Sequence, residues 1–402
     1  MKIFTDKTVI LCVTGSIAAY KAATLASEIH QSGARVHVVM TPSATHFIGP
    51  LTFESITHQP VAQDVLALGA DSAIEHVALA KQADLVLIAP ATANTIARLA
   101  HGLAGDAVSA LVLDTRAPIV IAPAMETGMW ENPVTQENVA HLKARGVTFV
   151  EPGTGYLASG ATGKGRLAEP DKIMAVARSI LARRGPLNGK TVVVTAGGTQ
   201  EPLDPVRVIT NLSSGRMGQA LAQEALERGA AVRLISTVAD GMPYGATVIP
   251  VRTTQEMYEA VLEYSCDADV LIMAAAPSDY RPQHYADHKI KKDLSEELVL
   301  ELVRNPDVLQ AVARRREEEP GSGPHIVVGF AAETEDLIEN ARAKLERKRL
   351  DLIVANPVPQ TFGSDRVQAT LLDGSGDAIE LEPMPKDHLA AIIFDRVQPL
   401  LH

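Results

Sequence analysis

A short β-branched run in the middle of the chain, Val192 to Val194, breaks at Gly197-Gly198 and gives way to a helical apolar pattern from Met217 (Ala220, Leu221, Ala225, Leu226). A buried parallel strand feeding a glycine turn and then a helix is how a doubly wound α/β sheet opens, and here one opens mid-chain. Gly197 and Gly198 permit a tight turn and close approach to a ligand. Ser213-Ser214-Gly215 predicts a capped helix N-terminus whose free N–H groups attract anions. The intervening Gln200 to Asn211 carries two prolines and is long for a strand-to-helix connection, which predicts a binding loop at the strand's carboxyl end.

A chain of 402 residues has room for two such sheets. Arg183-Arg184-Gly185-Pro186-Leu187-Asn188-Gly189 ends a helical pattern in basic residues and breakers, so domains are expected at 1–184 and 190–402 with a linker at 185–189. Strands are expected at Thr8–Thr14, Arg35–Met40, Asp84–Ala89, Ile119–Ala122 and Val147–Val150 in the first half. The second half has them at Thr191–Thr195, Ala231–Ser236, Ala268–Ala274, Ile326–Gly329 and Asp351–Val354. Alternation with helical segments makes each half a doubly wound, Rossmann-like α/β domain. Val367–Leu372 and Ala378–Leu381, around Asp373-Gly374-Ser375-Gly376, read as an antiparallel hairpin added to the second sheet.

Net charge −11 argues against nucleic acid or an acidic membrane as partner. Cys12 and Cys266 cannot form a disulfide framework, which suits a reducing cytoplasm. The amino terminus lacks an apolar signal core, and no apolar run is long enough to span a membrane. No His-Glu-x-x-His or Cys-x-x-Cys occurs, so a tightly held zinc is not expected.

The first strand runs into Thr14-Gly15-Ser16-Ile17-Ala18-Ala19-Tyr20-Lys21, a turn and helix start suited to a phosphate. Ala89-Pro90-Ala91-Thr92-Ala93-Asn94-Thr95-Ile96-Ala97 again puts hydroxyls and amides at a strand's carboxyl end. Ala122-Pro123-Ala124-Met125 and a loop with five glycines, Gly153 to Arg166, complete four ordered elements. Gly160-Ala161-Thr162-Gly163-Lys164-Gly165 is not a triphosphate loop, because no Ser or Thr follows the lysine and no glycine stands five residues before Gly163.

Together with Glu75-His76-Val77, these elements resemble the homo-oligomeric flavin-containing cysteine decarboxylases over nearly the whole first half. The resemblance implies a flavodoxin-like domain in which flavin mononucleotide (FMN) oxidises a cysteinyl thiol to a thioaldehyde, an electron sink for loss of carbon dioxide, and then reduces the enethiol. It implies that Gly15, Ser16, Ile17, Thr41 and Thr92 hold the flavin, that His76 is catalytic, and that Asn94 and Asp106 shape the substrate end. Read from the residues alone, His76 could equally be a hydrogen-bonded structural histidine.

Two positions depart from the family pattern: Glu126 stands where asparagine follows Pro-Ala-Met, and Ser159 replaces the flap cysteine of Ala-Cys-Gly. An ionised Glu only accepts hydrogen bonds and repels a substrate carboxylate by about 4 kcal/mol at contact in an intermediate dielectric. A serine hydroxyl is a far weaker acid than a thiol with a reference pKa of about 8.5. Two readings stay open. Burial holds Glu126 protonated, so that it supplies both hydrogen bond and proton, or this half is an FMN-binding scaffold that no longer decarboxylates.

In the second half, Ala274-Ala275-Ala276-Pro277-Ser278-Asp279-Tyr280-Arg281 with Lys289-Ile290-Lys291-Lys292, then Asn305-Pro306-Asp307-Val308, then Gly329-Phe330-Ala331-Ala332-Glu333-Thr334 with Lys344 and Lys348, all fall at strand ends. Lys344 and Lys348 are spaced i, i+4 and point the same way. They form either a solvated basic face or a polyphosphate site. With Thr195-Ala196-Gly197-Gly198-Thr199-Gln200-Glu201-Pro202 and Asn211-Leu212-Ser213-Ser214-Gly215, these clusters resemble the phosphopantothenate-cysteine ligases. The whole chain is similar to bacterial bifunctional coenzyme A biosynthesis enzymes, decarboxylase first and ligase second.

That resemblance implies that 4'-phosphopantothenate attacks the α-phosphate of CTP, releasing pyrophosphate, and that cysteine's amine then displaces CMP to give phosphopantothenoylcysteine, with Mg²⁺ and lysines neutralising charge. It implies CTP contacts from Ala275, Asp279, Lys289, Asn305, Pro306, Asp307, Val308, Phe330, Lys344 and Lys348, with Asn211 on the substrate carboxylate and acyl-cytidylate. Arg207 is a candidate for substrate phosphate, and the metal ligands are not assigned. A homo-oligomer is implied as well, a decarboxylase trimer and a ligase dimer that combine into a dodecamer. A pyridine-nucleotide oxidoreductase is the competing class, but neither opening strand carries Gly-x-Gly-x-x-Gly with an acidic residue about twenty positions on.

Overall fold

The computed structural model describes residues 3–65, 75–183, 185–291, 297–319, 321–333, 335–357, 366–374 and 378–401. Arg184, Lys292, Thr334, Ser375 and Gly376, all invoked in the sequence reading, lie outside the described residues. The chain divides into two compact units, Met1–Arg183 and Arg184–His402.

The first unit carries a parallel sheet of β1 (Thr8–Val13), β2 (Arg35–Met40), β3 (Leu85–Ala91), β4 (Ile119–Pro123) and β5 (Thr148–Phe149), in the order β2-β1-β3-β4-β5. This is the flavodoxin-like winding, whose switch point lies between β1 and β3. All six residues of β1 and all seven of β3 are buried, as strands covered on both faces must be. Val9, Leu11, Val13, Leu85 and Leu87 pack one core, and Ile10, Cys12, Val86 and Ile88 pack the core on the other face. The glycine-rich segment expected to be a loop is instead an antiparallel hairpin, β6 (Gly153–Tyr156) and β7 (Thr162–Arg166). Its glycines hid the strand pattern because they serve close packing. A Cβ on Gly165 would lie 2.2 Å from the Met125 carbonyl oxygen.

The second unit orders β8 (Thr191–Ala196), β11 (Ala231–Ser236), β12 (Thr247–Pro250), β13 (Val270–Met273), β16 (Ile326–Glu333) and β17 (Leu352–Pro357) as β12-β11-β8-β13-β16-β17, all parallel. Counted within this unit, that is the dinucleotide-fold order 3-2-1-4-5-6, with its switch point between β8 and β13. The antiparallel pair β18 (Arg366–Asp373) and β19 (Ala378–Pro385) extends the sheet past β17. Two small hairpins rise at the carboxyl edge. One is β9 (Gln200–Pro202) with β10 (Val208–Thr210), where a plain loop was expected, and the other is β14 (Tyr280–Pro282) with β15 (Leu302–Arg304).

The helix Arg216–Glu227 is not capped by Ser213 or Ser214. Gly215, at φ 76°, occupies its N-cap and supplies no side-chain bond. A β-carbon there would lie 2.8 Å from a Val238 methyl. The chain therefore turns in the left-handed region, which favours glycine, and no serine hydroxyl closes the helix mouth.

Candidate active sites

At the switch point of the first unit, Thr14 Oγ1 donates to the Pro90 carbonyl at 2.8 Å and accepts the Thr92 N–H at 3.0 Å, tying the ends of β1 and β3 together. Thr92 caps the helix Ala93–His101 through the Thr95 N–H, and Ser16 caps the 3-10 turn Ile17–Ala19 through the Ala18 N–H. Gly15 runs so close to the end of β2 that a β-carbon would fall 2.5 Å from Ser43 Cβ. Thr41 sits at that same strand end with its hydroxyl buried and without a partner. An orphaned hydroxyl beside a close backbone turn is a site made for an outside polar group, and these residues fit the phosphate end of a flavin. Ile17 and Asn94 are exposed at the rim.

Asp106 uses its carboxylate to cap the helix Ala107–Asp114, accepting from the Ser109 N–H and hydroxyl, and it pairs with Arg98 at 3.7 Å. His76, in the first turn of the helix Glu75–Gln82, has Nδ1 buried without a partner. That fits a group waiting for a ligand better than a satisfied structural histidine. Burial, with a lesser push from Asp106, drives the Cys12 thiol far above its ordinary value, so Cys12 is no nucleophile.

The two departures from the family pattern meet. Glu126 is the N-cap of the short helix Thr127–Trp130 yet does not cap it. Its Oε2 instead accepts the Ser159 hydroxyl at 2.9 Å. Strand β7 runs beneath, with the Met125 N–H donating to the Gly165 carbonyl. Glu126 is only half-buried and Ser159 is exposed, so the deep burial expected at Glu126 is not found here.

In the second unit a cavity of about 800 Å³ opens at the switch point. Its wall gathers Ala275, Asp279, Asn305, Pro306, Asp307, Val308, Phe330, Lys344 and Lys348. Arg216, where the family often has lysine, also lines it, as do Arg304, Arg347 and Lys386, which the motifs did not mark. They come from four separate segments, and only the fold assembles them. Lys344 Nζ donates to the Phe330 carbonyl at 2.8 Å. Lys348, 6% exposed, pairs with Asp307 and donates to Gln310 at 3.1 Å. Burial pushes the Asp307 carboxyl up, and the Lys348 ammonium and the Gln310 N–H outweigh it, holding Asp307 below the ordinary carboxylate range. Asn305 Nδ2 donates to the Ser278 carbonyl, and the Ser278 hydroxyl is buried without a partner next to Asp279.

Asn211 stands at the edge, and its amide donates at 3.2 Å to the carbonyls of Ala276 and Pro277. Its donors are thus spent on the cavity wall, and donation to an oxyanion needs the side chain to turn. Lys289 is exposed and is not part of the cavity wall. Among the described residues, no group of three or more His, Cys, Asp or Glu is arranged to hold a metal, and no helix is long and apolar enough to cross a membrane.

Comparison with known proteins decides the family. Residues 4–181 match the family model described as flavoprotein, and residues 187–400 match that of the DNA/pantothenate metabolism flavoprotein C-terminal domain. A Vibrio vulnificus protein, coenzyme A biosynthesis bifunctional protein CoaBC, is 42% identical over 409 residues, covering all of both chains. The chain belongs to the CoaBC family of coenzyme A biosynthesis bifunctional proteins. The Bacillus subtilis CoaBC is 43% identical over 402 residues, covering 98% of this chain and 97% of its own. A crystal structure of a CoaBC C-terminal domain aligns with 54% of this chain and 98% of its own at 34% identity and TM-score 0.45. The CoaBC match spans both units end to end, which does not favour a flavin scaffold with one activity lost.

Proposed function

We propose that this CoaBC-family chain joins 4'-phosphopantothenate to cysteine with CTP in its second unit and decarboxylates the product, phosphopantothenoylcysteine, with FMN in its first. The observation that carries the ligase reading is the cavity at the β8/β13 switch point, where cationic side chains from several elements converge beside a helix N-terminus that no side chain caps.

The substrate carboxylate forms a bond to the α-phosphorus of CTP as the bond to pyrophosphate breaks, and cysteine's amine then expels CMP. Lys344, Arg347 and Lys386 supply positive charge along the triphosphate. Asp307, held by Lys348, fixes the Asn305–Val308 rim against the nucleotide. Lys289 reaches the reacting phosphate, and Asn211 binds the carboxylate and acyl-cytidylate. Mg²⁺, when bound with CTP, would add to the neutralisation of the triphosphate that Lys344, Arg347 and Lys386 begin.

In the first unit, Gly15, Ser16, Ile17, Thr41, Thr92 and Asn94 form the flavin cradle. FMN, when bound, supplies the oxidation that lets the substrate's cysteinyl carbon release carbon dioxide. His76 faces the reacting thiol, while Glu126 and Ser159, bonded to each other, close the hairpin over the substrate. Exposed Ile17, Tyr20, Leu103 and Leu113 in the first unit and Val206 and Leu212 in the second suit burial between copies, in a trimer of first units and a dimer of second units. Two free thiols suit the cytoplasm.

Flavin absorbance of the purified protein and CTP-dependent pyrophosphate release test the two halves separately. A colourless protein that releases no pyrophosphate with 4'-phosphopantothenate and CTP would refute the reading.

A further inference from the structure

The β9/β10 hairpin turns through Leu203–Arg207 around one carboxylate, Asp204, whose side chain is wholly shielded from solvent. Its Oδ1 accepts the N–H groups of Val206 and Arg207, each at 2.8 Å. Oδ2 accepts Arg207 Nη1 at 3.0 Å and, from a segment 86 residues away, the Ile290 N–H at 3.1 Å. The same Arg207 Nη1 donates to the Ile290 carbonyl at 3.1 Å. Both polar groups of residue 290 are therefore held by one acid–base pair, much as a neighbouring strand would hold them. A further bond, from the Ala286 N–H to the Leu203 carbonyl at 3.1 Å, fastens the near end of the same segment.

Among the described residues, the segment 286–290 that follows β14 has no strand partner, and Lys289 lies in it one residue from the clasp. Burial pushes the Asp204 carboxyl up, and the three backbone N–H donors and the Arg207 charge outweigh it, so the carboxylate stays ionised and keeps accepting.

We infer that Asp204 is the positioning residue for Lys289: its carboxylate, with Arg207, clasps the peptide of Ile290 and so fixes where the Lys289 ammonium stands relative to the nucleotide cavity. The inference rests on Lys289 acting in the ligase step. A cation displaced by about 1 Å loses on the order of a hundredfold in rate, so the clasp is felt in turnover although Asp204 touches no substrate.

Asp204→Asn keeps the shape but turns one of the two acceptor oxygens into an amide NH₂ that cannot accept an N–H bond, and Arg207→Met removes the bonds to the Ile290 carbonyl and to Asp204 Oδ2 while leaving the three backbone N–H bonds on Asp204. In the full-length protein, held well below the melting transition of each variant, Asp204→Asn is expected to speed tryptic cleavage after Lys289 by about tenfold or more, with Arg207→Met intermediate. CTP-dependent pyrophosphate release should fall at least tenfold in Asp204→Asn. The Asp204→Asn/Lys289→Gln double variant should be no slower than Lys289→Gln alone. Wild-type tryptic cleavage in both variants overturns the clasp, and rate losses that multiply in full in the double variant overturn its action through Lys289. A Lys289→Gln variant with normal turnover would instead strike at the catalytic assignment of Lys289, while the tryptic result still decides the clasp.

Discussion

Ser159 Oγ donates a 2.9 Å hydrogen bond to Glu126 Oε2, joining the tip of the β6/β7 hairpin to the N-cap of the helix Thr127–Trp130 across 33 residues of sequence. The two positions at which the chain departs from the decarboxylase pattern are therefore one structural unit. An asparagine and a cysteine offer at most a weak S–H donor to an amide oxygen, whereas a hydroxyl and a carboxylate make the stronger bond seen here.

If the pair works as a unit, its parts are not additive. Glu126→Gln and Ser159→Ala should each slow carbon dioxide release in a single turnover, and the double variant should be no slower than the worse single one. The coupling should amount to about 0.5–1.5 kcal/mol. Rapid-quench measurement of the four proteins checks this, and fully additive losses would separate the two residues.

The Lys348–Asp307 pair is asymmetric, because Lys348 is 6% exposed and Asp307 is 51% exposed. Asp307→Asn strands a buried ammonium, while Lys348→Met leaves a carboxylate that water can reach. Asp307→Asn should destabilise the second unit by about 3 kcal/mol and Lys348→Met by clearly less, although both should raise the KM for CTP. Urea unfolding and pyrophosphate kinetics give the two readouts, and the reverse order of stability would contradict the pairing.

Gly198 has no room for a side chain, since its β-carbon would sit 2.5 Å from the Asn211 carbonyl oxygen, a backbone atom. Gly198→Ala must push Asn211 off the Ala276 and Pro277 carbonyls. It should cost about 1–3 kcal/mol and lower ligation at least tenfold while flavin content stays normal.

Asp204, Asp269 and Asp307 are each pushed up by burial and pulled further down by N–H donors and neighbouring cations, to net values below the ordinary carboxylate. Because the folded value lies below the unfolded value of about 3.9, their stabilisation is complete above that pH and is lost as pH falls through the folded values. The second unit's melting temperature should be flat from about pH 7 to 5 and drop below about pH 4. A loss centred near pH 6 would point to other groups.

Periodicity reached the cores well, because parallel strands buried on both faces, such as Val192–Val194 and Leu85–Ile88, stand out as apolar runs. Thr247–Pro250 escaped, being an edge strand of four largely exposed residues. The β6/β7 hairpin escaped because glycines fill the places where strand residues would show. Asn305–Val308 and Phe330–Ala332 were visible at the cavity because contiguous motifs at strand ends mark binding loops. Arg304 and Arg347 were passed over although they flank or sit within marked motifs, and Lys386 was out of reach because nothing in one dimension brings its segment to the others. Exposure misled in the other direction. Lys289 carries a basic motif yet lies off the cavity wall, and the residue beside it is clasped by Asp204, a buried acid whose partners, Arg207 apart, are backbone N–H groups that leave no mark in a sequence.

If both units work in one chain, ligation feeds decarboxylation. Purified protein supplied with 4'-phosphopantothenate, cysteine and CTP, and followed for pyrophosphate and carbon dioxide together, tests it most directly. Pyrophosphate should appear first and carbon dioxide should follow, approaching one for one. Pyrophosphate with no carbon dioxide, from protein whose flavin absorbance is intact, would contradict it and leave the Glu126–Ser159 pair as the mark of a silent site.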